Sequence, residues 1–279
     1  MKMRYYYQHI ERCSSLSASK RIKALLSLMT RIPLGEQPIE EAAKAFYLVP
    51  LIGTLEGLIV GSIVALLVWL GVIPVIISIL YFFLHIVLTG GIHLDGFADY
   101  LDVIGSHKCG DQALRVLKDP RKGSYAVVVT SLRVVAGVAS LSVLVEYLGM
   151  MIVFPLVASY IASAEAMFVS CLFGIEEPYE GMARSFCRYS KTRMHVLKNI
   201  LYYLMLSITL VALGGLSRAG PSTVVVLALP AIVGTLVSHD ANKRLGFVNG
   251  DVMGFSYELT QTISLILVAT LISTRSLAR

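Results

Sequence analysis

Apolar and polar positions along this chain fall into long blocks instead of alternating at short period. Seven apolar runs, at 47–70, 72–94, 125–148, 150–173, 196–217, 221–238 and 252–273, approach the ~20 residues a helix needs to cross a bilayer. The first two are parted only by Gly71, Val72, Ile73 and Pro74, and the third and fourth only by Gly149 and its neighbours, so both pairs read as tight helical hairpins. The 221–238 run is short, and the last run carries polar residues at its start. Six or eight spans are the alternative counts. Ahead of the runs, residues 20–32 (KRIKALLSLMTRI) mix basic and apolar positions at helical spacing. That pattern suits an amphipathic helix, either lying in the membrane interface or packed on the bundle. Residues 1–20 are polar and show no readable pattern.

These elements predict an all-α, polytopic transmembrane bundle of about seven spans. The chain reads as one integral membrane domain over 1–279, with a cytoplasmic N-terminal segment at 1–45 and the bundle at 46–274. Composition agrees. Apolar residues make up 56% and charged residues 15%, with a mean hydropathy of +0.73. Soluble chains average roughly 45–50% and 25%. No leader with its own apolar core is visible at the N-terminus. Four cysteines (Cys13, Cys109, Cys171, Cys187) lack CxxC spacing, which argues against a zinc site or a disulfide framework.

The net charge of +6 does not point to nucleic acid, because the basic residues gather in loops between the runs. Long charged segments at 1–46, 95–124, 174–195 and 239–251 carry most of the Lys and Arg, whereas the connections near 71, 149 and 218 are almost uncharged. The positive-inside pattern places the long segments in the cytoplasm and the protein in the cell membrane. Arg275 and Arg279 sit awkwardly with a seven-span count.

Within this frame, Gly90-Gly91-Ile92-His93-Leu94-Asp95-Gly96-Phe97-Ala98-Asp99-Tyr100-Leu101-Asp102 carries the densest chemistry. Asp95, Asp99 and Asp102 are spaced i, i+4, i+7, which puts them within about 60° on one helix face. Three crowded carboxylates remain ionised together when a cation sits among them, and hard oxygen ligands suit Mg²⁺ or Mn²⁺ with a phosphate partner. Burying an aspartate at mid-membrane costs about 2.5–3.5 kcal/mol, so the cluster belongs at the end of a span. Gly90, Gly91 and Gly96 would let a bulky ligand approach the backbone, or else serve helix packing. His93 points away from the carboxylate face of a regular helix. It becomes a phosphate contact or an acid if the Gly pair breaks that helix.

Downstream, Lys118-Asp119-Pro120-Arg121-Lys122-Gly123-Ser124-Tyr125 offers Arg121 and Lys122 for phosphate oxygens beside a helix start. Arg133 lies inside an apolar run and calls for a buried acidic or phosphate partner. In the 176–193 loop, Arg184 is the cation of most interest. At the start of the last run, Asp251, Gly254 and Glu258 fall at i, i+3 and i+7. This second acidic face suits a further metal ligand, a general base for an alcohol, or a polar ligand contact.

The combined motifs resemble the cobalamin synthase family, the adenosylcobinamide-GDP ribazoletransferases. Its G-G-x-H-L-D-G-x-A-D-x-x-D pattern corresponds to Gly90–Asp102. A D-S-R-x-G-T-F-G-like element corresponds to Asp119–Ala126, and a G-x-T-G-D-x-x-G-A-x-x-E-like element ends in Gly250-Asp251 through Glu258. Thr30-Arg31-Ile32-Pro33 and Pro50-Leu51-Ile52-Gly53 also look similar. Pro120, Ala126, Asn249 and Phe255 depart from the pattern. The resemblance implies attack by α-ribazole, or its 5′-phosphate, on the phosphate joined to cobinamide in adenosylcobinamide-GDP, with release of GMP. For that reaction Mg²⁺ is expected on Asp95, Asp99 and Asp102. Arg121, Lys122, Asp119, Arg184 and the three glycines would bind substrate, and Asp251, Glu258 and His93 would serve catalysis. Homo-oligomers or complexes with other enzymes of the pathway are conceivable partners, and nucleic acid is not expected. Two rivals share the spacing logic. A CDP-alcohol phosphotransferase would show D-x-x-D-G-x-x-A-R, which is absent here. An ion-coupled transporter would show broken mid-span helices and an inverted repeat.

Overall fold

The computed structural model describes residues 18–35, 37–214 and 220–277. Cys13, the polar start of the chain and the connection around 218 lie outside them. Among the described residues every regular element is helical. In chain order these are α1 (18–29), α2 (Ile39–Ala45), α3 (Val49–Trp69), α4 (Pro74–Thr89), α5 (Ile92–Ser106), α6 (Asp111–Leu117), α7 (Ser124–Leu148), α8 (Val153–Phe173), α9 (Met182–Ser190), α10 (Arg193–Gly214), α11 (Gly220–Arg244) and α12 (Gly250–Leu277).

Among the described residues five helical stretches are long and apolar enough to cross a membrane, or six with α4 and α5 taken together. One of the five, Ser124–Phe173, contains both α7 and α8. Its 50 residues would extend about 75 Å as one straight helix, far beyond a ~30 Å hydrocarbon core. The break is at Gly149, whose φ of 55° and ψ of −135° end α7 before a short 3-10 turn. Each expected run therefore falls on a helix, but the run at 72–94 needs correction. It ends at Thr89, and the chain then bends by 97° into α5. Gly90 (φ 68°) and Gly91 (φ 71°) make the corner, both in the left-handed region open to glycine.

α8 is the central helix, packed along α3, α11 and α12 and buried over most of its length. Small residues allow close packing without a hydrophobic drive between helices in lipid. Gly57 illustrates this: a Cβ there would lie 2.8 Å from the Val157 Cα. By contrast α10 is almost wholly exposed along its span, and its outward Leu197, Leu201, Leu204 and Ile208 suit a lipid boundary. α1 packs Ala24, Leu25 and Met29 inward, so its apolar face lies against the bundle.

The charged segments meet at one end of the molecule. Gly110 N–H donates to the Arg244 carbonyl at 2.7 Å, and Val248 N–H donates to Ile175 O at 2.9 Å. Ser185 and Tyr189 of α9 donate to Glu40 of α2 at 2.6 and 2.8 Å.

Candidate active site

α5 and α12 build the acidic centre by touching backbone to backbone. A Cβ at Gly96 would meet the Asp251 Cα at 2.9 Å and its carbonyl oxygen at 3.0 Å. Reciprocally, a Cβ at Gly254 would meet the His93 carbonyl oxygen at 2.9 Å. These contacts bring the Asp95 and Asp99 face of one helix beside Asp251 at the start of the other. Asp251 is near enough to Asp99, Asp95 and Lys122 to feel their charges. The start of α12 is fixed by Asn249. Its Oδ1 accepts the Val252 N–H at 3.1 Å and its Nδ2 donates to Asp251 Oδ2 at 2.8 Å. Asparagine is among the strongest N-cap residues, so this departure from the family pattern retains a cap. Phe255, another departure, stacks on Phe97 with ring centroids 5.2 Å apart.

Lys122 reaches in from the loop before α7. Its Nζ donates to Asp95 Oδ1 at 2.7 Å and also bonds Asp99. Burial opposes its charged form, but the bonds and charges of Asp95 and Asp99 outweigh that, and the ammonium titrates above the ordinary lysine range. Asp102 departs from the expected trio. Its carboxylate accepts the N–H groups of Gly123 (2.5 Å) and Ala126 (3.0 Å), capping the first turn of α7. Tertiary capping competes with the shared helix face, because the first N–H groups of any helix lack internal partners. Asp119 and Arg121 pair with each other on the exposed loop. Two guanidinium hydrogen bonds hold Asp119 down to about 2, and Arg121 points away into solvent.

Among the described residues no three or more His, Cys, Asp or Glu side chains are already disposed to hold a metal ion. Magnesium does not demand such a cage, since it is commonly held by one or two carboxylates, water and substrate phosphate. Asp95, Asp99 and Asp251 supply only hard oxygen donors, and the Lys122 ammonium between two of them shows that a positive charge fits there. The donor set therefore suits Mg²⁺.

Beside the carboxylates lies a cavity of about 160 Å³ whose walls include His93, Asp95, Gly250 and Asp251. His93 is buried, stacks on Tyr257 at 4.3 Å, and leaves Nε2 without a hydrogen-bond partner. Arg184 lies on α9, which walls the same cavity, and its Nε is also buried and unpaired. Gly90 lies instead against the Arg31 side chain, and Gly91 forms the other half of the corner.

Glu258 sits deeper. It is fully buried, accepts from Arg133, and bonds His85 Nε2 at 3.0 Å. Arg133 thus has its acidic partner. His85 in turn bonds the Tyr160 hydroxyl at 3.0 Å, and Tyr257 donates to the buried Glu56 at 2.7 Å. Glu56 and His85 were not singled out from the sequence. The rule that marks Arg133, an ionisable residue inside an apolar run, applies equally to them.

An acidic face at the end of an apolar helical bundle, bridged by a lysine and opening on an apolar cavity, is the candidate active site of a membrane protein. The chain belongs to the cobalamin-5-phosphate synthase family, whose model matches residues 21–269. Curated relatives include an adenosylcobinamide-GDP ribazoletransferase of Clostridium acetobutylicum, 29% identical over 89% of this chain and 95% of the relative. Proteins of the same name from Acetivibrio thermocellus (27% identical, 89% and 96% covered) and Prosthecochloris aestuarii (28%, 84% and 91%) are also similar. No solved structure matches the chain.

Proposed function

We propose that this protein is an adenosylcobinamide-GDP ribazoletransferase, joining adenosylcobinamide-GDP to α-ribazole, or its 5′-phosphate, with release of GMP. The observation that carries the reading beyond family membership is the meeting of Asp95, Asp99 and Asp251 with Lys122 at the mouth of a cavity. Attack on a pyrophosphate-linked group is opposed by its negative charge, and catalysis there is largely positioning and electrostatics. The family match over residues 21–269 favours this reading over both rivals.

Mg²⁺ would be held by Asp95 and Asp99, with Asp251 beside them, and when bound would neutralise pyrophosphate oxygens. Lys122 exchanges its carboxylate partners for phosphate oxygens. Arg184 offers its unpaired Nε to the same anion. Asp251, oriented by Asn249, accepts the proton of the attacking ribose hydroxyl. His93 Nε2 takes a polar atom of the substrate inside the cavity. Glu258, with both oxygens occupied, holds α12 in place and leaves the chemistry to the other carboxylates. The convergence of the basic segments at one end of the bundle supports a cytoplasmic site under the positive-inside rule.

The test is turnover by purified, detergent-solubilised protein given adenosylcobinamide-GDP and α-ribazole, with chelator and with Mg²⁺ restored. GMP and a cobalamin product that require Mg²⁺ support the assignment. Folded protein that forms no product under either condition overturns it.

A further inference from the structure

The cavity beside the carboxylates is not shaped for a large or highly charged ligand. Most of its wall is apolar, and four methionines contribute: Met29 of α1, Met167 of α8, Met182 of α9 and Met253 of α12. Thioethers are polarizable, adapt their shape, and make favourable contacts with aromatic rings. Its volume of about 160 Å³ is close to the ~150 Å³ of an apolar cavity that admits benzene. A flat ring system suits that space, whereas a corrin or a guanosine diphosphate does not. Its polar side chains are confined to His93, Asp95 and Asp251, and the buried His93 Nε2 has no hydrogen-bond partner. A buried donor or acceptor left unpaired is costly, so a ligand that pairs with it gains selectivity.

We propose that this methionine-lined cavity seats the aromatic base of the acceptor nucleoside, with His93 Nε2 bonding a polar atom of that nucleoside and its ribose turned toward Asp251. The inference rests on the proposed reaction and extends it to the residues that choose the base. Because α1 and α9 supply much of the wall, these two short helices outside the spans set base preference, while α5 and α12 supply the carboxylates.

The experiment compares nucleosides carrying imidazole, benzimidazole and dimethylbenzimidazole bases, with Met29→Phe to narrow the cavity and Met253→Ala to widen it. KM for the nucleoside and KM for adenosylcobinamide-GDP are measured in parallel, and nucleoside binding alone is followed by equilibrium dialysis. Removing or adding the bulk of a methylene or more in an apolar pocket typically changes discrimination by about tenfold or more. Met29→Phe should raise the nucleoside KM and weaken dialysis binding by about that factor for the largest base, and less for imidazole, with the corrinoid KM moved far less. Met253→Ala should shift preference toward the larger base. If Met29→Phe does not fold, Met182→Phe, at a half-exposed position on α9, carries the same comparison. Equal change in both KM values, or no change in base preference in folded variants, overturns the cavity assignment. Failure of the wild-type protein to join the two substrates overturns the reaction instead, so the two failures are separable.

Discussion

Arg133→Met should be among the most damaging single substitutions in the bundle, although Arg133 does not line the cavity. Arg133 and Glu258 have side-chain exposures of 4% and 0% and are joined directly, with Gln261 Oε1 a further acceptor at 3.4 Å. Removing the guanidinium leaves the Glu258 carboxylate in the bundle interior with His85 as its remaining side-chain hydrogen-bond partner. Breaking a buried ion pair on one side costs about 3–5 kcal/mol, because the surviving charge keeps its desolvation penalty. At roughly 2–4 °C per kcal/mol for a chain of this order of size, the midpoint should fall by about 6–20 °C. The double variant Arg133→Met/Glu258→Leu removes both charges and replaces them with apolar bulk, which is often neutral. It should recover most of the loss. The assay is the temperature at which detergent-solubilised protein leaves the monodisperse peak in size-exclusion chromatography, for wild type, both single variants and the double. A midpoint for Arg133→Met within 2 °C of wild type, a bound well below that ~6 °C minimum, would refute the reasoning. So would a double variant no better than the worse single one.

Asp95→Asn and Asp99→Asn should each lose turnover by at least about a hundredfold with little change in melting midpoint, read by GMP release; retained turnover in either excludes it from the centre. Gly96→Ala forces a methyl against the Asp251 backbone, which typically costs about 1–3 kcal/mol, and should lower turnover per folded molecule more than it lowers the midpoint. An unaltered rate would show that the spacing of α5 and α12 is not critical. Glu177 lies outside the spans, and burial pushes its carboxyl above the ordinary range, against the backbone bonds of Arg184 and Ala183. Between the unfolded and the folded values the folded chain keeps a proton that the unfolded chain has lost, so stability falls as pH rises through that window. Glu177→Gln should flatten midpoint against pH just above the ordinary carboxylate range and raise it at pH 7; an unchanged slope would locate the pH dependence elsewhere.

The spans were readable because apolar runs of bilayer length have few alternatives, and α3, α8 and α12 fall where hydropathy puts them. The corner at Gly90-Gly91 was harder. Apolar residues continue on both sides of it, so hydropathy alone carries the span to residue 94, and only the double glycine marks the break. The spacing of Asp95 and Asp99 was a helical property and is visible in sequence. The orientation of Asp102 was not, because the N–H groups it caps belong to α7, brought near only by folding. Likewise Lys122 is adjacent to Arg121 in sequence, yet one turns into the acidic face and the other outward. The partner of Arg133 was legible as a requirement but not as Glu258, 125 residues away. The cavity wall from α1 could not be read from the amphipathic pattern, which fits a membrane surface as well as a protein groove.

The two glycine contacts between α5 and α12 have an evolutionary corollary. Since backbone meets backbone at Gly96 and Gly254, the separation of the carboxylates is insensitive to which side chains surround them. The methionine wall is drawn largely from other helices and can drift in shape without disturbing that separation. Under the proposed cavity assignment, substitutions that retune nucleoside choice are thus uncoupled from those that would disarm the acidic centre, so the two properties are free to change at separate positions.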